Sequence, residues 1–338
     1  MDSFFDRALM AARRLGASDV HLKPGLAPIL RIAGELRTLS DVPPLSREFL
    51  QSLGLSLLND RRREILERTG DVVVALATST GGRQRVHIFH HRGGFGLALR
   101  LIPPEAPALA TLGLPPETSE LIEPGAGLVL VAGGAGQGKT TTLAALLEDL
   151  GTRRPCRVLT IEDPVEYLLK DRRGVVVQRE VGTDAPSAAA ALRSAARQDL
   201  DVLAVGELAE AEAVRLAVEA AETGRLVLAG ITAGGVAPAL EKLTGFGGPE
   251  GVGAARARVA AVLRGVLFQR LVPLADGKRR GPTGTLLRVG PETRARIAAP
   301  PEGSELPGSF GFEPSAEPAR RRGGGEARTV VEDDAAGD

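Results

Sequence analysis

The chain has 338 residues, 43% of them hydrophobic, and its 42 basic side chains balance its 42 acidic ones. That is length for about two domains, without the excess positive charge that would mark a general binder of nucleic-acid phosphates. No apolar run approaches the roughly 20 residues of a membrane-spanning helix, and a lone cysteine, Cys156, excludes an internal disulfide or a Cys-built zinc centre. The opening Met1-Asp2-Ser3-Phe4-Phe5-Asp6 lacks the basic stretch and apolar core of a secretory signal, so a cytoplasmic location is expected, peripheral to the inner membrane only through partners. Aromatic residues are 3% of the chain, with no Trp, so base-stacking surfaces and a nucleic-acid partner are not expected.

In chain order, Phe4, Phe5, Ala8, Leu9, Ala12 and Leu15 recur at helical spacing and Gly16 stops them. Short strands are predicted over Asp19–Lys23, Pro28–Ile32 and Glu35–Leu39, then helices over Arg47–Asn59 and Arg61–Arg68. Three more strands follow, Val72–Ala77, Gln84–His90 and Phe95–Leu101, with turns at Gly81-Gly82 and Gly93-Gly94. Residues 1–102 therefore read as an α+β domain. Prolines crowd 103–120, which reads as a stiff linker.

From Gly127 the pattern changes to compact apolar strands alternating with helices, the mark of a parallel sheet with crossover helices, and 121–299 reads as an α/β domain. Its predicted strands are Leu128–Ala132, Val158–Ile161, Val202–Val205 and Leu226–Ile231, and its helices Thr140–Leu150, Ser187–Gln198 and Ala209–Glu222. A further helix is expected over about Ala254–Gln269, then a hairpin near Asp276-Gly277. Beyond Pro300 the composition predicts a disordered tail, 300–338, that includes an arginine run and an acidic end.

Gly133-Gly134-Ala135-Gly136-Gln137-Gly138-Lys139-Thr140 fits the phosphate-binding pattern G-x-x-x-x-G-K-[ST]. Glycines let the backbone curl so that N–H groups face phosphate oxygens, and the following helix aims its positive end at the same charge. Lys139 is expected to reach the β and γ phosphates of ATP, the Thr140 hydroxyl to ligate Mg²⁺, and Thr141 to join the binding set. A buried strand before the loop and an apolar helix face after it support this over a chance glycine-rich turn.

Two later strands end in carboxylates: Ile161-Glu162-Asp163-Pro164 and Val205-Gly206-Glu207. At the carboxyl ends of sheet strands, beside a nucleotide, such groups hold Mg²⁺ or its waters, or orient the attacking water. Alternatively, Glu162 and Asp163 cap a helix beginning at Pro164.

These segments resemble the ATPases of type II secretion and type IV pilus systems, most of all the PilT-type retraction branch, over nearly everything from Ala17 to about Gly290. The matching pieces are Ala17–Leu22, the phosphate loop, Thr160–Tyr167, Gln178–Gly182, Ala191–Ser194, Val205–Glu207, Ala220–Gly224 and Leu267–Leu271. The resemblance implies a PAS-like N-terminal domain, a RecA-like ATPase domain and a homohexamer working on an inner-membrane platform protein of a pilus or secretion machine. It further implies that Glu162 polarises water and Glu207 serves the Mg²⁺ shell, roles that the sequence leaves interchangeable, with Asp163 near the cofactor. Arg85 and Arg100 match arginines that the family brings to the phosphates, Arg92 less well, although each can equally be a solvated strand residue. The absence of paired Cys-x-x-Cys motifs favours the retraction-like branch over the assembly branch.

Departures fall in one place. Where the family carries two histidines, this chain reads Thr223-Gly224-Arg225-Leu226-Val227 and then Gly230-Ile231-Thr232-Ala233. Arg225 and Thr232 occupy the two positions, and seven residues of strand separate them by roughly 23 Å. An Arg-Asp pair usual after the second carboxylate is here Leu208-Ala209. The expectation is therefore either a motor ATPase that turns ATP over slowly or an ATP-binding regulatory or structural subunit. A nucleic-acid-dependent enzyme is disfavoured, and His21, His87, His90 and His91 are too few and too poorly spaced to predict a metal centre.

Overall fold

A computed structural model describes residues 3–39, 41–77, 83–123, 125–245, 251–275, 280–299 and 309–312. The chain divides into two compact units. The first comprises 1–106 together with 163–168 and 180–184; the second comprises 107–162, 169–179 and 185–338. The first unit is thus discontinuous in sequence, taking in two short segments from beyond residue 160.

In the first unit, helix α1 (Ser3–Arg14) precedes strands β1 (Ala17–Leu22), β2 (Ile29–Ile32) and β3 (Glu35–Thr38). Helices α2 (Arg47–Ser56) and α3 (Asp60–Thr69) follow, then β4 (Asp71–Ala77), β5 (Arg83–His91) and β6 (Gly94–Leu101). Ser46 and Asn59 cap the two helices with side-chain oxygens, and Gly70 ends α3 in the left-handed region at φ 84°. The strands form an antiparallel sheet in the order β3-β2-β1-β6-β5-β4. Alternate residues of its central strands (Val20, Leu22, Val86, Ile88, Leu97, Leu99) pack on Phe5 and Leu9 of α1, Leu50 and Leu53 of α2 and Leu66 of α3. The predicted Gly81-Gly82 turn lies outside the described residues.

In the second unit, two 3₁₀ turns (Leu109–Thr111 and Pro116–Ile122) occupy the proline-rich segment, and burial of Thr118, Leu121 and Ile122 docks the second of them. The sheet is built from β7 (Gly127–Ala132), β8 (Arg157–Glu162), β9 (Val175–Glu180), β10 (Val202–Val205), β11 (Leu226–Ile231), β12 (Leu263–Pro273), β13 (Arg280–Arg288) and β14 (Ser309–Phe312). Their order is β14-β13-β12-β7-β11-β10-β8-β9. β12, β7, β11, β10 and β8 run parallel, which requires crossovers. Helices α4 (Lys139–Arg153), α5 (Ala188–Ala195), α6 (Ala211–Glu222), α7 (Val236–Gly245) and α8 (Gly251–Val262) lie between strands, and α9 (Pro291–Ala298) follows β13. β7 and β11 are buried along their whole length, as strands covered on both faces must be.

Two expectations are corrected and one alternative is set aside. The helix predicted to Gln269 ends at Val262, and Leu263–Pro273 is strand β12, whose run of buried residues hides its period. No helix begins at Pro164; Asp163 and the residues after it join the first unit instead. Within the segment expected to be disordered, Ser309–Phe312 pairs with β13, and Phe312 is buried against the sheet. The hairpin predicted at Asp276-Gly277 and the charged runs of the tail lie outside the described residues.

Candidate functional site

The carboxyl ends of β7, β11, β10 and β8 fall at one edge of the sheet, because Ile231 is level with Ala132 and Val205 is level with both Ala229 and Ile161. The phosphate loop leaves β7 there, Thr232 follows β11, Gly206-Glu207 follow β10, and Glu162 ends β8. Loops at the carboxyl edge of a parallel sheet are where ligands of open α/β sheets bind.

Gly138 sits at φ 85°, a conformation that glycine adopts without strain, and it turns the loop into α4. No side chain caps the N-terminus of this 15-residue helix, which leaves its first N–H groups to an anion. Lys139 is 9% exposed, and its ammonium donates to the carbonyls of Gly133 at 3.0 Å and Gly134 at 3.1 Å and to the Thr232 hydroxyl at 3.0 Å. Its three protons are thereby matched to three acceptors. Glu207 Oε2 stands 3.4 Å from the same nitrogen, while its Oε1 accepts the Thr232 N–H at 2.6 Å. Lys242 donates to the Thr232 carbonyl at 3.2 Å. Thr232 therefore joins the lysine and the carboxylate through its hydroxyl and its backbone.

Glu162 stands farther out, since β11 and β10 lie between β8 and β7, about 14 Å at about 4.8 Å per strand. Its Oε1 accepts the Thr160 hydroxyl at 2.6 Å and the Gln178 amide at 3.0 Å, and its Cγ is 3.7 Å from where a Cβ on Gly206 would lie. An alanine at 206 would meet Glu162 at ordinary van der Waals distance. Ala135 and Gly136 are exposed at the loop's tip, Gln137 is half-buried and tied to β12, and Thr140 and Thr141 lie in the first turn of α4. Arg225, at the other end of β11, donates to the carbonyls of Ala196 and Gln198 and to the Thr223 hydroxyl, which joins α5 to the sheet far from Lys139.

The remaining predicted residues lie in the first unit with partners of their own. Asp163 accepts from Arg62 at 3.1 Å, Arg85 is 3.4 Å from Glu166, and Arg100 is 3.3 Å from Asp19. Burial pushes the Glu166 carboxyl above the ordinary carboxylate range, and nearby Arg85 and Arg100 pull it back only in part. Sequence reasoning missed the residues around them. Glu180, 8% exposed, accepts from Arg83 at 3.1 Å, from the Val165 N–H at 3.1 Å and from the Thr183 hydroxyl at 3.0 Å. Arg62, 5% exposed, also donates to the Val181 carbonyl. Nothing in spacing alone marks Arg62, whereas Gln178 and Glu180 stand in the polar run Gln178-Arg179-Glu180 that closes an edge strand after three valines.

The donor set fits a nucleotide triphosphate with its magnesium. A buried ammonium held only by neutral acceptors and one carboxylate, an uncapped helix N-terminus, a hydroxyl at Thr140 and a carboxylate at Glu207 gather at the sheet's carboxyl edge. Among the described residues no group of three or more His, Cys, Asp and Glu side chains could hold a metal ion, and no helix is long and apolar enough to cross a membrane.

Comparison with known proteins agrees in kind. A family model described as Type II/IV secretion system protein matches residues 2–305. The chain is 39% identical over 254 residues to the uncharacterized protein YggR of Escherichia coli K12, covering 75% of this chain and 77% of the relative. It is 34% identical over 271 residues to the type IV pilus retraction ATPase PilT of Pseudomonas aeruginosa, covering 80% and 78%. The crystal structure of the pilus retraction motor PilT with bound ADP superposes with a TM-score of 0.79 at 36% identity, covering 87% of this chain and 85% of that one. An α/β ATPase fold, a phosphate loop in that fold and a match over most of the sequence together place this chain in the type II/IV secretion system protein family.

Proposed function

We propose that this chain is a PilT-like motor ATPase that couples ATP hydrolysis to pilus retraction or to related secretion machinery. The observation that carries this reading is the Lys139 ammonium, buried at the mouth of the phosphate loop with Glu207 beside it. On this reading the loop from Gly133 to Lys139 binds the phosphates of ATP, and Thr140 and Glu207 serve Mg²⁺. Glu162, oriented by Thr160 and Gln178, polarises the attacking water. The second unit is RecA-like and the first PAS-like. Six copies form a ring at the cytoplasmic face of the inner membrane, acting on a platform protein there. Arg85 and Arg100, exposed on adjacent strands, exchange their present carboxylates for phosphate oxygens when the ring assembles.

A second reading rests on Thr232. With the Thr232 hydroxyl on Lys139 and the Thr232 backbone N–H on Glu207, no titrating side chain stands at that point of the site, and transition-state stabilisation is weakened. The chain then serves as a slowly cycling or regulatory ATP-binding subunit of the same machine. Steady-state phosphate release by the purified chain, with Lys139→Ala as control, separates the two. Release on the order of 1 s⁻¹ or faster, abolished by the substitution, supports the motor. Magnesium-dependent ATP binding with turnover indistinguishable from the control supports the regulatory subunit.

A further inference from the structure

Gln269 lies outside every role assigned above. β12 runs parallel to β7 with Phe268 level with Ala132, so Gln269 comes alongside the point where β7 turns into the phosphate loop. Its side chain is 2% exposed, and a buried carboxamide must be satisfied at both ends. Here Nε2 donates to the Gln137 carbonyl at 2.7 Å, inside the loop, and Oε1 accepts the Thr142 hydroxyl at 2.9 Å, in the first turn of α4. Two residues on, the Leu271 N–H donates to the Gln137 side-chain oxygen at 2.6 Å.

Close packing repeats the pattern. A Cβ on Gly133 would lie 2.6 Å from the Gln269 carbonyl oxygen, and one on Gly138 would lie 3.0 Å from Gln269 Nε2. At Gly133 the β12 backbone leaves no room for a side chain, and at Gly138 the Gln269 amide would have to give way by a few tenths of an ångström. In a trans peptide the carbonyl of one residue and the N–H of the next point to opposite sides. Holding the Gln137 carbonyl on Gln269 therefore turns the Gly138 N–H away from β12 and fixes that plane without any ligand.

We propose that Gln269 is a positioning residue that presets the phosphate loop for its nucleotide; this rests on the nucleotide-binding reading above. A preset loop binds more tightly because less ordering remains to be done on association. A residue that only supported the fold would lower stability and leave the affinity of the folded molecules unchanged.

The test is calorimetric titration of the full chain with magnesium-ADP, paired with thermal melts, for the native protein and Gln269→Leu, Gln269→Glu, Gln137→Ala and Lys139→Ala. Gln269→Glu keeps the shape, loses the donor and places a carboxylate against the Gln137 carbonyl, so it carries the test if Gln269→Leu does not fold. Folded Gln269 variants are expected to bind ADP about tenfold more weakly, as loss of one buried hydrogen bond implies. Gln137→Ala, which removes only the Leu271 bond, falls between them and the native protein. For the Gln269 variants the loss is read in KM for ATP, with kcat at saturation as the comparison. Native ADP affinity in folded Gln269→Glu overturns the proposal. A native chain that melts cooperatively yet takes up no ADP sinks the nucleotide reading itself and the proposal with it.

Discussion

The Lys139 ammonium and the Thr232 hydroxyl are hydrogen-bonded at 3.0 Å, across the gap between the phosphate loop and the end of β11. Lys139 must release such partners to serve a phosphate, so each of them competes with nucleotide. Thr232→Val deletes one competitor while keeping the backbone bond to Glu207. Such a bond contributes about 1 kcal/mol, so ADP affinity should tighten by up to about fivefold. ADP is the right probe because it lacks a γ-phosphate, so the hydroxyl has no such group to gain. A weaker titration curve than native would contradict this account of Lys139.

The two carboxylates should separate by kinetic signature. Glu207, 3.4 Å from Lys139, belongs to the binding site, so Glu207→Gln should weaken magnesium-dependent ATP binding. Glu162, bonded to Thr160 and Gln178, is proposed to act on water, so Glu162→Gln should leave binding near native and lower kcat by about a hundredfold or more. Equal losses of binding in both variants would show that Glu162 is not held for chemistry.

Arg62 predicts a stability effect. It is buried against Asp163, Glu180 and the Val181 carbonyl, so Arg62→Ala leaves carboxylates with a lost partner and should cost about 3 kcal/mol, read as a lower melting temperature. Arg62→Lys keeps the charge and should recover part of the loss. A melt unchanged by Arg62→Ala would mean that the segments 163–168 and 180–184 are held by other contacts.

Glu166 gives a dependence on pH. Its folded-state pKa lies above the ordinary 4.5, so the folded chain holds the proton more tightly than the unfolded chain. The stability this contributes is complete below about pH 4.5 and is lost as pH rises through the raised folded value. At pH 7 the buried carboxylate is therefore a burden. Glu166→Gln should melt higher than native at pH 7, with the difference closing toward pH 4. A variant less stable than native at pH 7 would show that pairing with Arg85 outweighs burial.

Much of this architecture was legible in the residues. The strands at Val72–Ala77 and Phe95–Leu101 and the glycine stop after α1 were read from the residues, and the structure follows them. The phosphate loop was equally plain, because few other arrangements need four glycines, a lysine and a hydroxyl at that spacing. β12 was not, since Val262-Leu263 and Val266-Leu267-Phe268 form apolar runs that suit a buried helix or a buried strand alike. Misreading that strand hid Gln269, whose meaning depends on lying beside Gly133. The Arg62–Glu180 network was hidden for a different reason: its members are 118 positions apart in sequence, and no local pattern links them.

The most direct test of the whole account is magnesium-ATP titration of the purified chain against Lys139→Ala, with both shown folded by their melts. The account predicts saturable, magnesium-dependent binding by the native chain and none by the variant. Equal uptake by both, or none by a folded native chain, would contradict it.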